Sequence, residues 1–106
     1  MHATLTTAVG TPEDMASVGT MVAEEMLKWT QQLEGFLGLI MLGAEATGRV
    51  QVLTLWESRA VAESHLPARL RFRDRLAETV GAEVLETESY DVLFAETPGL
   101  RGAPEA

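Results

Sequence analysis

The chain opens on an alternation of period two. Ala3, Leu5, Thr7 and Val9 fall on one face and His2, Thr4, Thr6 and Ala8 on the other, with β-branched residues frequent, which predicts a strand. Thr11-Pro12-Glu13-Asp14 then supplies a capping hydroxyl, a proline at the first helical position and two acids at the positive end of the helix dipole. From there Met15, Val18, Val22, Met26, Trp29 and Leu33 recur at steps of three and four, drawing one apolar stripe along a helix that Gly35 should stop.

Phe36 to Ala44 is almost wholly apolar, Glu45-Ala46-Thr47-Gly48 has turn chemistry, and Val50 to Glu57 is a second β-rich run, so the region predicts a hairpin. Its second strand places Val50, Val52, Thr54 and Trp56 on one face and Gln51, Leu53, Leu55 and Glu57 on the other. Both faces are largely apolar and both want cover. Ser58 is placed to cap a further helical region running to Val80, with Pro67 marking a break or restart and Gly81 the end. A last extended stretch lies within Ala82 to Glu96 and is strongest over Tyr90-Asp91-Val92-Leu93-Phe94, and residues 97–106 read as a loose tail. The order β-α-β-β-α-β is that of an α+β, ferredoxin-like domain over residues 1–96, an antiparallel sheet with two helical segments on one face. Two helices cover one face only, so a second copy packing sheet to sheet is the simplest cover for the other, and a homodimer is expected.

Charge and composition narrow the partners. With 106 residues, one compact domain is the working assumption. Sixteen acids against eight bases give a net charge of −8, which repels nucleic acid and anionic lipid. The absence of cysteine excludes disulfides, thiolate metal sites and cysteine nucleophiles. The longest apolar run, Phe36 to Ala44, is far too short to span a bilayer, and the first residues lack a signal-peptide pattern, so a cytoplasmic protein is expected. Half of the bases fall within Arg69 to Arg75, a window of net +3 in a chain that is otherwise −11. Arg69 and Arg73 share a helix face, as do Arg71 and Arg75, so a ligand carboxylate or phosphate could find a bidentate partner there. The plainer reading of that cluster is a solvated face balanced by Glu63, Asp74 and Glu78.

The segment Trp56-Glu57-Ser58-Arg59-Ala60-Val61-Ala62-Glu63-Ser64-His65 runs strand, cap and helix together and ends on a histidine. Trp56, Glu57, Ala60 and His65, with Glu34-Gly35-Phe36 before the second strand and Tyr90-Asp91-Val92 in the last, resemble the antibiotic-biosynthesis-monooxygenase family of dimeric α+β barrels. The resemblance implies a homodimer, no cofactor, and oxygenation of a quinol or aromatic polyketide-like substrate. It also implies departures. The second histidine of the quinol-oxidising type is replaced by Leu70. The haem-degrading branch's first-strand asparagine is absent, with His65 and Arg75 where that branch has its tryptophan and histidine, which disfavours haem degradation. The polyketide-tailoring branch's asparagine and tyrosine are replaced by Val52 and Ala62.

Within that frame His65 is the candidate base. Oxygenation without metal or flavin needs the phenol deprotonated so that the electron-rich anion can pass an electron to O₂, and one placed base suffices. A helix-surface histidine bonded to a backbone carbonyl is the plainer alternative, and the sequence identifies no orienting partner that would displace it. Metal binding by His2 with His65 has no supporting ligand spacing. Trp56, Trp29 and Phe72 are candidates to shape a cavity between helices and sheet, and Arg69 or Arg73 to meet an anionic group, although both tryptophans also fit a core. Met15, Met21, Met26 and Met41 are core filler or pocket lining. Such a pocket would take a small aromatic or hydrophobic molecule. The alternative function is a non-catalytic small-molecule-binding barrel.

Overall fold

In the computed structural model, residues 1–10, 19–20 and 22–96 are described. The helix start at Thr11-Pro12, the stripe residues Met15 and Val18, Met21, and the tail 97–106 lie outside the described residues. Four strands, β1 (His2–Val9), β2 (Phe36–Ala44), β3 (Arg49–Trp56) and β4 (Glu83–Asp91), form one sheet in the order β2-β3-β1-β4, antiparallel at every contact. A π-helical turn (Val22–Met26) leads into α1 (Leu27–Thr30), and α2 (Arg59–Ser64) and α3 (Leu66–Val80) join β3 to β4. This is the ferredoxin-like α+β arrangement expected from the order of elements.

Local chemistry accounts for most boundaries. The β2–β3 turn closes on Ala44, whose carbonyl accepts from the backbone N–H groups of Thr47 and Gly48, and Gly48 takes the left-handed φ of 69° that the reversal needs. Ser58 caps α2 by accepting from the Val61 N–H at 3.2 Å. The backbone leaves regular helix at His65 (φ −98°, ψ 0°) and restarts at Leu66 with Pro67 in the first turn, where its missing N–H has no intrahelical acceptor to lose. Gly81 ends α3 in the left-handed conformation.

Two boundaries differ from the sequence pattern. The first helix ends at Thr30 rather than running to Gly35. The Thr30 hydroxyl donates back to the carbonyls of Met26 and Leu27, and the following residues close as tighter turns, Gln32 N–H to Trp29 O and Leu33 N–H to Thr30 O. The π-helical turn also breaks the even spacing of the stripe. The last strand ends at Asp91, directly opposite His2, and Val92 adds one further bond to Met1 O. Leu93 and Phe94 therefore project past the sheet, 95 % and 83 % exposed.

Cross-strand register decides which face meets the helices. His2 stands opposite Trp56, Thr4 opposite Thr54 and Thr6 opposite Val52 on one side and Thr87 on the other, so these side chains share a face. Trp56 touches His65 and Arg69, and Thr87 is bonded by Arg73, which identifies that face as the covered one. The polar face of β1 is thus the inner one. Ala3, Leu5 and Val9 look the other way, in register with Leu55, Leu53 and Arg49 of β3, and the helices leave that side open. Among the described residues no helix is long and apolar enough to cross a membrane.

Candidate functional site

Trp56 is the pivot of the layer between sheet and helices. It ends β3, is fully buried, and its Nε1 donates to the Thr54 hydroxyl two residues back at 2.9 Å. Phe36 meets it edge-on with ring centroids 5.6 Å apart, and His65 lies tilted against it at 5.6 Å. The Arg69 guanidinium sits over the indole, 4.9 Å from its centroid. Three of the residues singled out from the sequence, Trp56, His65 and Arg69, are therefore brought together by the β3–α2–α3 connection.

His65 has the orienting partner that the sequence did not reveal. Its Nε2 lies 3.1 Å from the backbone carbonyl of Glu34. A carbonyl only accepts, so Nε2 carries the proton in that contact and Nδ1 of the neutral ring is the basic nitrogen. The carbonyl is fixed in turn by the chain reversal at Gly35, whose own carbonyl accepts from the Glu57 N–H at 2.9 Å. Gly35 has φ +82°, and a Cβ there would collide with the Val61 side chain, so this contact between the start of β2 and α2 requires glycine.

Arg69 and Arg73 share a helix face but not a fate. Arg73 donates through Nε and Nη2 to the Asp74 carboxylate at 2.9 and 2.7 Å and through Nη1 to the Thr87 hydroxyl at 2.7 Å. Arg69 donates one bond, Nη2 to the carbonyl of Ala62 at 2.8 Å, and meets no carboxylate among the described residues. Its half-buried guanidinium is held below the ordinary arginine value because burial disfavours the charged form.

Trp29 and Phe72 form a separate pair. Their rings stack in parallel, 4.8 Å between centroids, and Arg75 lies over Phe72 at 5.2 Å. Beside them Glu25, Phe72, Arg75, Leu76 and Thr79 line a shallow groove of about 210 Å³ between the first helical segment and α3. The aromatic candidates thus divide between the Trp56 layer and this outer groove.

Two residues of the inner layer were not singled out from the sequence as site residues. His2 is buried opposite Trp56, with Nδ1 3.4 Å from the Asp91 carboxylate. Thr4 is buried opposite Thr54. The signal that would have found them is topological: in the β2-β3-β1-β4 order the start of β1 pairs with the end of β3, which puts His2 and Thr4 beside Trp56. Among the described residues no three histidine or carboxylate side chains gather as metal ligands.

No family model and no curated protein matches the chain. Solved structures do. It is similar to a monooxygenase encoded by ActVA-Orf6 of Streptomyces coelicolor, solved with nanaomycin D (17% identity, TM-score 0.64, covering 92% of this chain and 91% of that one). It is similar to SnoaB, a cofactor-independent oxygenase from Streptomyces nogalater (14%, 0.59, 93% and 97%). A dimeric ferredoxin-like protein from an uncultured marine organism matches at 20% identity and a TM-score of 0.68, over 90% of this chain and 97% of that one. At such identities the likeness establishes the fold, which is the one that the Trp56–His65 segment resembled.

Proposed function

We propose that the chain is the subunit of a homodimeric, cofactor-independent monooxygenase acting on a small hydroxylated aromatic or quinol-like molecule bound beside Trp56. The observation that carries this reading is the histidine. His65 presses against the Trp56 ring while the Glu34 carbonyl holds its Nε2–H, so Nδ1 is the proton acceptor. A base so oriented takes the proton of a bound phenol, and the resulting anion is electron-rich enough to pass an electron to O₂. The fold shared with two oxygenases is consistent with that chemistry. Trp56 backs the site from beneath His65 and Arg69, Arg69 meets an anionic group, and Phe72 borders the outer groove with Trp29 stacked on it.

The homodimer is supported by the open side of the sheet. Leu5, Leu53 and Ile40 are in register there, next to Leu55 and an exposed Leu42. Leu93 and Phe94 project beyond β4 and add exposed apolar side chains that a second copy would cover. A second reading, a non-catalytic binding protein using the same layer, draws on one fact: a histidine bonded to a backbone carbonyl also serves as a simple structural tie.

Oxygen uptake by chelator-treated protein, against a panel of hydroquinones and hydroxylated polycyclic aromatics, separates the two. Uptake that falls at least about a hundredfold in His65→Ala supports the enzyme. Ligand binding without uptake, altered only modestly by the substitution, supports the binding protein.

A further inference from the structure

The β1 side of the inner face is polar. Its buried residues include His2, Thr4 and Thr54, and the hydroxyls of Thr6 and Thr87 lie 3.2 Å apart on the same face. Most of these groups are mutually satisfied: Thr54 accepts from Trp56, and Thr87 accepts from Arg73. Two are not. The Thr4 hydroxyl, on a residue 3 % exposed, and the Arg69 Nε–H are both buried without a hydrogen-bond partner among the described residues. Orphaned buried donors are rare in folded proteins, because each forfeits its bond to water without recovering one.

The two orphans belong to one neighbourhood. Thr4 pairs across strands with Thr54, Thr54 accepts from Trp56, and Arg69 covers Trp56. Arg69 lies over the indole, 4.9 Å from its centroid, and Thr4 lies across the strand from the threonine that accepts the indole N–H. Arg69 also carries a positive charge into that layer with no carboxylate opposite it among the described residues, in a chain whose net charge is −8. A cation without a carboxylate and a hydroxyl without a partner, in the one layer around Trp56, match a single kind of group, an oxygen anion that accepts from both.

We infer that Arg69 and Thr4 form an oxyanion subsite beside Trp56, and that the ligand of this layer is an aromatic molecule bound through a carboxylate or phenolate oxygen. The inference rests on reading the Trp56 layer as a ligand site, but not on oxygen chemistry. It narrows the anionic group expected at Arg69 or Arg73 to an oxygen anion held by Arg69. It also assigns Thr4 a binding role, which a strand threonine would not otherwise have.

The test is anaerobic calorimetry with 1-naphthoate, its neutral isostere 1-naphthamide, and 1-naphthol at rising pH, on the wild type, Thr4→Val and Arg69→Met. Thr4→Val keeps the β-branched shape and removes only the hydroxyl, so it keeps the test valid should Arg69→Met fail to fold. The wild type should bind 1-naphthoate at least about tenfold more tightly than 1-naphthamide, and Thr4→Val should lose about tenfold for the anion while leaving the amide unchanged. A preference for 1-naphthoate assigns a carboxylate; 1-naphthol affinity that climbs as its hydroxyl ionises assigns a phenolate. Equal affinity for naphthoate and naphthamide, unchanged anion affinity in Thr4→Val, or no binding of either anion would each overturn the inference. Because no turnover is involved, a protein that consumes no oxygen can still pass, and an active enzyme can still fail.

Discussion

Trp56 concentrates the energetics of the inner layer in one side chain, since it fills the space between β3 and α2, satisfies its own N–H on Thr54, and supports His65 and Arg69. Trp56→Ala should therefore cost about 3–5 kcal/mol in denaturant unfolding, a large part of a small domain's stability. A loss below about 1 kcal/mol would mean that the layer packs around something else. Tyr90, the single tyrosine, donates to Glu88 at 2.6 Å, and that bond raises its phenol above the ordinary 10.0, with smaller contributions from desolvation and the charges of Glu88 and Glu86. The sign follows from linkage. A raised folded value means a contribution to stability that is complete below 10.0 and is lost as pH rises through the folded value. Absorbance titration should place the Tyr90 midpoint above 10.0, and Glu88→Gln should return it toward that value. At this scale Trp56, His65 and Arg69 were legible because one short segment and the helix after it carry them. Thr4 was not, since a threonine in a strand has no signature until its cross-strand neighbours are known.

At the scale of elements, the hinge between the first helix and β2 holds the site in shape. Gly35 must be glycine twice over, for its φ of +82° and for the closeness of Val61. Gly35→Ala should destabilise by about 2 kcal/mol or more, and adding Val61→Ala should restore only the part due to the collision, leaving the backbone strain. Full rescue in thermal unfolding would show that φ contributes nothing. Turn and cap residues made the hairpin, the α2 start, the α3 restart at Pro67 and the Gly81 stop readable in advance. The early end of the first helix was not readable, because Leu33 continues the apolar spacing while the competing Thr30 back-bonding depends on conformation. Nor does the sequence around Tyr90 to Phe94 show that the β1–β4 ladder ends at the pair His2 and Asp91.

For the whole molecule, the informative fact is the orientation of β1. Its alternation was plain in the sequence, but alternation does not say which face turns inward. The structure turns His2, Thr4 and Thr6 toward the helices and Leu5 toward the open side. On the proposed reading, an anion occupies the inner surface and a second copy covers the outer one. Sedimentation at low micromolar concentration should give twice the mass of 11.5 kDa, and Leu53→Glu, at the centre of the open face, should give the monomer. A wild-type monomer would contradict the sheet-to-sheet dimer.

If the Trp56–His65 layer oxygenates its ligand unaided, isotope labelling will show it. Chelator-treated protein with a hydroxylated aromatic substrate under ¹⁸O₂ should give one labelled oxygen atom in each product molecule, at a rate that collapses in His65→Ala. Product oxygen drawn from solvent, or peroxide release with an unlabelled product, would contradict it.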